Sequence, residues 1–244
     1  MAGGNTPESG SLSEDQVAAF GSDGFVVVEN LYDGATMAEW KRVVLEVMEA
    51  ESAFHESGVR VWMADAIHPM FRDAMSDAHV AAMLRQLIGA NVEFLSAKAV
   101  YKNAETSFAT PWHQDWQYWF GPTKLSVWIA LDEATPENGC LKVLRGSHVK
   151  HFEHLHLDGE QGFVNQIEPE QVAEWSPVEV ALPVGGAVFF HDQLVHSSHP
   201  NTSGQDRWSM ISTYRDASVK DESSVWQNSV VVSGRSVNSE GSGD

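Results

Sequence analysis

Cysteine occurs once in the 244 residues, at Cys140, so no disulfide can form within the chain and the fold has to be held by its own core. A lone thiol fits a reducing compartment, and a cytoplasmic location is expected. Basic residues are also scarce: 15 Lys plus Arg stand against 34 Asp plus Glu, a net charge of −19. Such a surface repels nucleic-acid phosphates and anionic lipid headgroups, so neither is expected as a partner. No apolar run approaches the ~20 residues that cross a bilayer. The first twelve residues have no basic or apolar block and do not read as a signal peptide. No internal repeat is present. What the chain does have is 43% hydrophobic residues and nine Trp, which exclude a disordered chain and point to a deep core, a lined pocket, or both.

The ends are small and polar, and mobile tails are expected over 1–12 and about 233–244. Between them, 13–232 reads as one domain. Ser13 ahead of Glu14, Asp15 and Gln16 suggests a capped helix, and Phe25–Val28 reads as a buried strand. Helical spacing of Met37, Trp40, Val43, Val44 and Val47 predicts a helix over Thr36–Phe54. Another is expected over Asp77–Ile88, stopped by Gly89. After Asn91 come short β-rich runs: Phe94–Lys102, Lys124–Asp132, Cys140–Arg145, Val178–Leu182, Ala187–Phe190 and Arg207–Tyr214. Turn signals divide them, among them Glu137-Asn138-Gly139 and Pro183-Val184-Gly185-Gly186. Helices first and many short strands after predict a mainly β fold, a sandwich or barrel braced by α-helices.

The most informative segment is Pro111-Trp112-His113-Gln114-Asp115-Trp116. Residues i and i+2 of a strand share a face, so His113 and Asp115 aim together. An imidazole and a carboxylate side by side are two thirds of a facial triad, the set that leaves three positions open on Fe(II). The third ligand has to come from a distant strand, with His191, His196 and His199 as candidates. His196 is favoured because Arg207 lies eleven positions later, with Ser209 two beyond it on the same strand face. A guanidinium and a hydroxyl can clamp a carboxylate, and a metal corner beside such a clamp suits a keto-diacid.

These segments resemble the phytanoyl-CoA dioxygenase-like (PhyH) family. The likeness is carried by Pro111 to Asp115, by Trp128-Ile129-Ala130-Leu131-Asp132 with Asn138-Gly139-Cys140-Leu141, and by Gly146-Ser147-His148. It continues through Gly185 to His191 and on to His196 and Arg207, so that it spans about Gly24 to Tyr214. The resemblance implies a double-stranded β-helix (jelly-roll, cupin-like) core, Fe(II), 2-oxoglutarate as co-substrate and O2. It also implies a metal triad of His113, Asp115 and His196, with Arg207 and Ser209 as the 2-oxoglutarate clamp. Trp128 and Arg60 fall where relatives turn residues towards the co-substrate. Related halogenases replace the triad carboxylate with Gly or Ala, so Asp115 implies a hydroxylase rather than a halogenase. The run Trp116 to Pro122 departs from the signature of ectoine hydroxylases, and that substrate is not carried over.

Trp116, Tyr118 and Trp119 flank the metal strand and are candidates for a substrate wall; the alternative is that they fill the core. A small-molecule substrate is expected. An acyl-CoA is not, because its phosphates want a basic surface. His151, His154 and His156 form a local cluster better read as a loop than as a second metal site, and Cys140 reads as a small buried residue. Two competing readings remain: a cupin-type metal enzyme that does not use 2-oxoglutarate, and a non-catalytic jelly-roll binding protein.

Overall fold

The computed structural model describes residues 10–51, 58–103, 108–157, 163–226 and 228–238. In chain order the elements are α1 (Glu14–Asp23), β1 (Phe25–Val28), α2 (Gly34–Ala50), β2 (Val59–Met63), α3 (Pro69–Met75), α4 (Ala78–Ile88), β3 (Val92–Lys102), β4 (Thr110–His113), β5 (Lys124–Ala130), β6 (Leu141–Val143), β7 (Leu155–His156), β8 (Asn165–Gln166), β9 (Val178–Val180), β10 (Ala187–His191), β11 (His196–Ser198), β12 (Arg207–Asp216) and β13 (Val230–Ser233).

Local chemistry sets the helix ends. Ser13 and Gln16 form a capping box at the start of α1, and Gly24 closes that helix in the left-handed region at φ 84°. Asp33 caps α2 by accepting from the Thr36 amide, and Asp77 caps α4 through the His79 amide. The helix expected over Thr36–Phe54 runs from Gly34 to Ala50; residues 52–54 lie outside the described residues.

All strand pairings are antiparallel. The larger sheet runs β1-β10-β5-β12-β3-β13, with β2 also on β3; the smaller runs β4-β11-β6-β9; β7 and β8 form a separate ribbon. This is the jelly-roll core, mainly β with helices on one side. Strand alternation sorts the side chains. Leu125, Val127 and Ile129 of β5, and Ala187 and Phe189 of β10, join Met37, Trp40, Val44, Phe71 and Leu84 in the core between sheet and helices. Trp128, Ala130, Val188 and Phe190 point the other way and pack against Leu141, Val143 and Val180 of the smaller sheet and Leu182 just after it.

The Glu137-Asn138-Gly139 turn forms where expected, but it carries the chain from β5 in one sheet to β6 in the other and is not a hairpin between paired neighbours. Parts of both segments expected as tails are docked on the fold, while residues 1–9 and 239–244 lie outside the described residues. Leu12 is buried, and its backbone N–H and C=O are both engaged by the Gln86 side chain. At the other end β13 pairs with β3, Ser236 is buried, and the Val237 amide donates to Ala217 O at 2.9 Å. Backbone partners and one apolar anchor hold segments that composition alone assigns to solvent.

Charge is buried at one end of the large sheet. Arg215 Nε lies 2.7 Å from Glu93 Oε2, Arg215 Nη1 3.0 Å from Asp221 Oδ2, and Lys124 Nζ 3.0 Å from the same Asp221 oxygen. Removing one member of a buried network strands its partners. Arg215→Met is therefore expected to destabilise the protein by about 3–5 kcal/mol, read as a lower urea midpoint at unchanged slope. A shift equivalent to less than about 1 kcal/mol, the range of an exposed pair, would contradict the account.

Candidate metal centre and active site

β4 ends at His113, and Asp115 opens a 3-10 turn (Asp115–Tyr118). Gln114 between them is still extended, at φ −119° and ψ 131°, so period-two geometry persists one residue past the strand and both ligands face the same way. β11 pairs with β4 in the register His196 to His113, which brings the third side chain opposite the first. His113 Nε2 lies 3.7 Å and His196 Nε2 3.8 Å from Asp115 Oδ1. The ligand atoms of the three buried residues all fall within 4.8 Å of one another, and no other such metal-binding group forms among the described residues.

The tautomers are set by the backbone. His113 Nδ1 lies 2.8 Å from Pro111 O and His196 Nδ1 2.9 Å from Leu194 O. Each Nδ1–H therefore donates to a carbonyl and leaves the Nε2 lone pair facing the triad. Burial pushes the His113 imidazole down to about 3, helped by His196, so the ring is neutral and free to ligate. Burial works to raise Asp115, but Lys98, the two histidines and Ser126 outweigh it and hold the carboxyl below its ordinary range. Two imidazoles and one carboxylate fit a divalent iron with open positions.

Arg207 lines the same cavity as the triad, together with Lys98, Lys102, Trp128, Phe163 and Ser198. Its guanidinium is 1% exposed; Nη1 donates to Ser209 Oγ at 2.7 Å, Nη2 to Gly139 O at 3.0 Å, and Nε is buried without a partner. The guanidinium carbon sits 5.3 Å from the centroid of Trp128. Lys102, equally buried, donates to Phe108 O at 2.7 Å, to Ser198 Oγ at 2.6 Å and also to His199 O, so its three donors are engaged by neutral groups. Gly139 has to be glycine: at φ 94° a Cβ would stand 2.8 Å from His199 O and 2.7 Å from Lys102 Cδ. Arg207 and Lys102 form no salt bridge with a described residue, and Asp115 is the only acid among the described residues that line their cavity. Two desolvated cations and an orphaned Nε make a receptor for a carboxylate.

Other expected residues fall differently. Arg60 points to the helix side of β2, where Nε meets Glu51 Oε2 at 2.8 Å; its neighbours Val59 and Val61 take the cavity face, so alternation removes Arg60 from the site. Ser209 does not line the cavity: its hydroxyl holds Arg207 and donates to Val100 O, and the hydroxyl at the cavity wall is Ser198. Trp116 turns away, with Nε1 on Gly121 O and its ring against Phe120, because the 3-10 turn ends strand alternation. Tyr118 and Trp119 do line a cavity beside Asp115. His191 stacks with His148 at 5.3 Å, apart from the triad. His154 and His156 bond to Phe152 O and Asn165 Oδ1. Sequence reasoning missed Lys98 and Lys102. The available signal was two lysines at even spacing inside a mainly apolar run, Phe94–Lys102, where buried charge is rare.

Fe(II) affinity of the anaerobic protein is expected to fall by about 100-fold or more in His196→Ala, from the loss of one of three ligands, and to be unchanged in His191→Ala. Equilibrium dialysis distinguishes the two; the reverse pattern would move the third ligand to His191.

A family model described as phytanoyl-CoA dioxygenase (PhyH) matches residues 20–209. The chain is 30% identical to the L-proline trans-4-hydroxylase of Streptomyces griseoviridis over 157 residues, 55% of this chain and 59% of that protein. It is 26% identical to the ectoine dioxygenase of Bordetella parapertussis over 232 residues, 84% of this chain and 75% of that protein. In fold it is similar to EctD from S. alaskensis, solved with 2-oxoglutarate and 5-hydroxyectoine, at TM-score 0.72 and 22% identity over 89% of this chain and 80% of that one. No helix among the described residues is long and apolar enough to cross a membrane. With the family model covering well over half of its length and the triad assembled as above, the chain belongs to the phytanoyl-CoA dioxygenase (PhyH) family of non-haem Fe(II)- and 2-oxoglutarate-dependent oxygenases.

Proposed function

We propose that the protein is a hydroxylase that uses O2 and 2-oxoglutarate to oxidise a C–H bond of a small molecule, giving the alcohol, succinate and CO2. The observation that carries this reading is the pair of buried cations, Arg207 and Lys102, that no described acid bridges, in the cavity that the His113–Asp115–His196 triad also lines. A dicarboxylate with one end at the triad and the other at Arg207 satisfies both features. The names of the relatives, a proline hydroxylase and ectoine dioxygenases, support a small and polar class of substrate.

Iron, held by His113, Asp115 and His196, would supply O2 activation, with two of the four electrons that O2 takes coming from decarboxylation of 2-oxoglutarate and two from the substrate C–H bond. The protein's part is positional. Pro111 O and Leu194 O keep both imidazoles in the ligating tautomer. Arg207 binds the distal carboxylate of the co-substrate, oriented by Ser209 and Gly139 O, while the Trp128 ring covers the guanidinium and excludes water. Asp115 fills the place that a halogenase leaves open for chloride, which favours hydroxylation. An acyl-CoA is a poor fit, since 15 basic residues against 34 acidic ones offer its phosphates little.

Anaerobic addition of Fe(II) and then 2-oxoglutarate is expected to develop the visible iron-to-keto-acid charge-transfer band, and His113→Ala is expected to abolish it. Arg207→Ala should weaken 2-oxoglutarate binding by about 100-fold, the scale of a lost charge-assisted pair. A folded, iron-binding protein without the band would replace this reading with a cupin-type or non-catalytic one. A cupin-type enzyme that does not use 2-oxoglutarate would keep its activity in Arg207→Ala.

The same receptor gives a pH dependence. Burial, then the neighbouring Arg207, pushes the Lys102 ammonium down to about 7. A carboxylate bound beside it favours the charged form and raises that value again. Above pH 7 binding therefore takes up a proton, and 2-oxoglutarate affinity is expected to fall as pH rises from about 7 towards 9 while staying level below 7. Titrations across this range should show that slope in the wild type and lose it in Lys102→Met; a flat wild-type profile would contradict it.

A further inference from the structure

A second cavity, about 360 Å³, adjoins the first and shares Val59, Lys98, Asp115 and Phe163 with it. Its other walls are mostly apolar and aromatic: Val61 and Met63 from β2, Tyr118 and Trp119 after β4, and Val225 and Trp226 ahead of β13, with Ser96 of β3 as one small polar residue among them. Lys98 is the one cation among its described lining residues. Strand alternation places it there, with Ala97 and Ala99 of β3 in the helix-side core and Ser96, Lys98 and Val100 on the opposite face. Lys98 Nζ lies 5.2 Å from the Trp119 ring centroid and makes no hydrogen bond or ion pair with a described residue. Asp115, the nearby acid, is committed to the triad.

An ammonium at the wall of an apolar cavity loses water on one side and needs an anion in return. With its charge already over Trp119, Lys98 repels any second cation from that aromatic face. The electrostatics of the loaded site point the same way. Lys98, Lys102 and Arg207, together with a divalent metal, outweigh Asp115 and a dianionic co-substrate, so positive charge is left over beside the second cavity. An anionic group answers that excess, and the aromatic walls answer an apolar body.

We infer that the substrate is a small organic anion, a carboxylate with an apolar ring-sized body, whose charge is held by Lys98 and whose body lies among Trp119, Trp226 and Phe163 beside the triad. This rests on the hydroxylase reading above, with Lys98 a specificity-determining residue for the substrate and not for 2-oxoglutarate.

The test is calorimetric titration of the anaerobic Fe(II)- and 2-oxoglutarate-loaded protein with 3-phenylpropionate and cyclohexanecarboxylate, beside their amides and the matching amines. Carboxylates are expected to bind about 10-fold or more tighter than amides, the scale of one charge-assisted hydrogen bond, and amines least well. Lys98→Met should remove the preference and Lys98→Arg should keep it, the main effect of Lys98→Met falling on the carboxylate substrate and not on 2-oxoglutarate. Equal binding of amides, failure of every carboxylate, or a Lys98→Met defect that falls on 2-oxoglutarate would overturn the inference. If the charge-transfer band never forms, the hydroxylase reading fails by itself. The same carboxylates, titrated against metal-free protein and read by tryptophan fluorescence, then still decide whether Lys98 selects an anion.

Discussion

Alternation of side chains across the strands of the larger sheet is the constraint on which the rest of the molecule depends. One face of β3, β5, β10 and β12 is apolar and carries the helices; the other looks into the space between the sheets and holds the chemistry. Because the two faces interleave residue by residue, the same few strands build a dry core and a charged cavity at once. Trp208 and Met210 lie in the core, while Arg207 and Ile211 line the cavity. A one-residue slip in β12 would exchange the two sets, bury Arg207 against α-helical Leu and Met side chains, and turn Trp208 into the site. Pairing on both sides of β12, with β3 and with β5, prevents that slip.

This rule also explains how much could be read before any coordinates. His113 and Asp115 are legible because they sit in or next to a strand whose period of two holds, and His196 because Arg207 and Ser209 follow it at a spacing that suits a clamp; the pairing of β11 with β4 then sets His196 opposite His113. Trp116 was misplaced because the backbone leaves the strand at Asp115 and enters a 3-10 turn, where the period changes. Arg60 was misplaced for the opposite reason: alternation holds in β2, but the pairing partner that sets its parity, β3, is not visible in a local window. Ser209 has the right parity but the wrong depth, since Val100 O on the paired strand takes its proton. The β13 strand and the docked ends were lost because their partners, Asn91, Ala217 and Gln86, are far away in sequence.

Buried charge appears in this sheet in two forms, and the contrast between them carries the functional argument. At one end Lys124, Arg215, Glu93 and Asp221 meet as an internally neutral network, with desolvation offset by partners the chain itself supplies. In the cavity beside the triad, Arg207 and Lys102 are as deeply buried, yet among the described residues only neutral carbonyls and hydroxyls accept their hydrogen bonds. Dipoles compensate a buried cation partly, which is why burial drags Arg207 down to about 10 and Lys102 to about 7. A fold that can pair buried cations at one end of a sheet and leaves them unpaired at the other holds stabilisation in reserve for an anion from outside. The order of that reserve follows from position. Arg207 and Lys102 lie deep, with Trp128 over the guanidinium, and suit a co-substrate of fixed length. Lys98 lies at the boundary with the wider aromatic cavity, where the partner can vary in shape but not in sign.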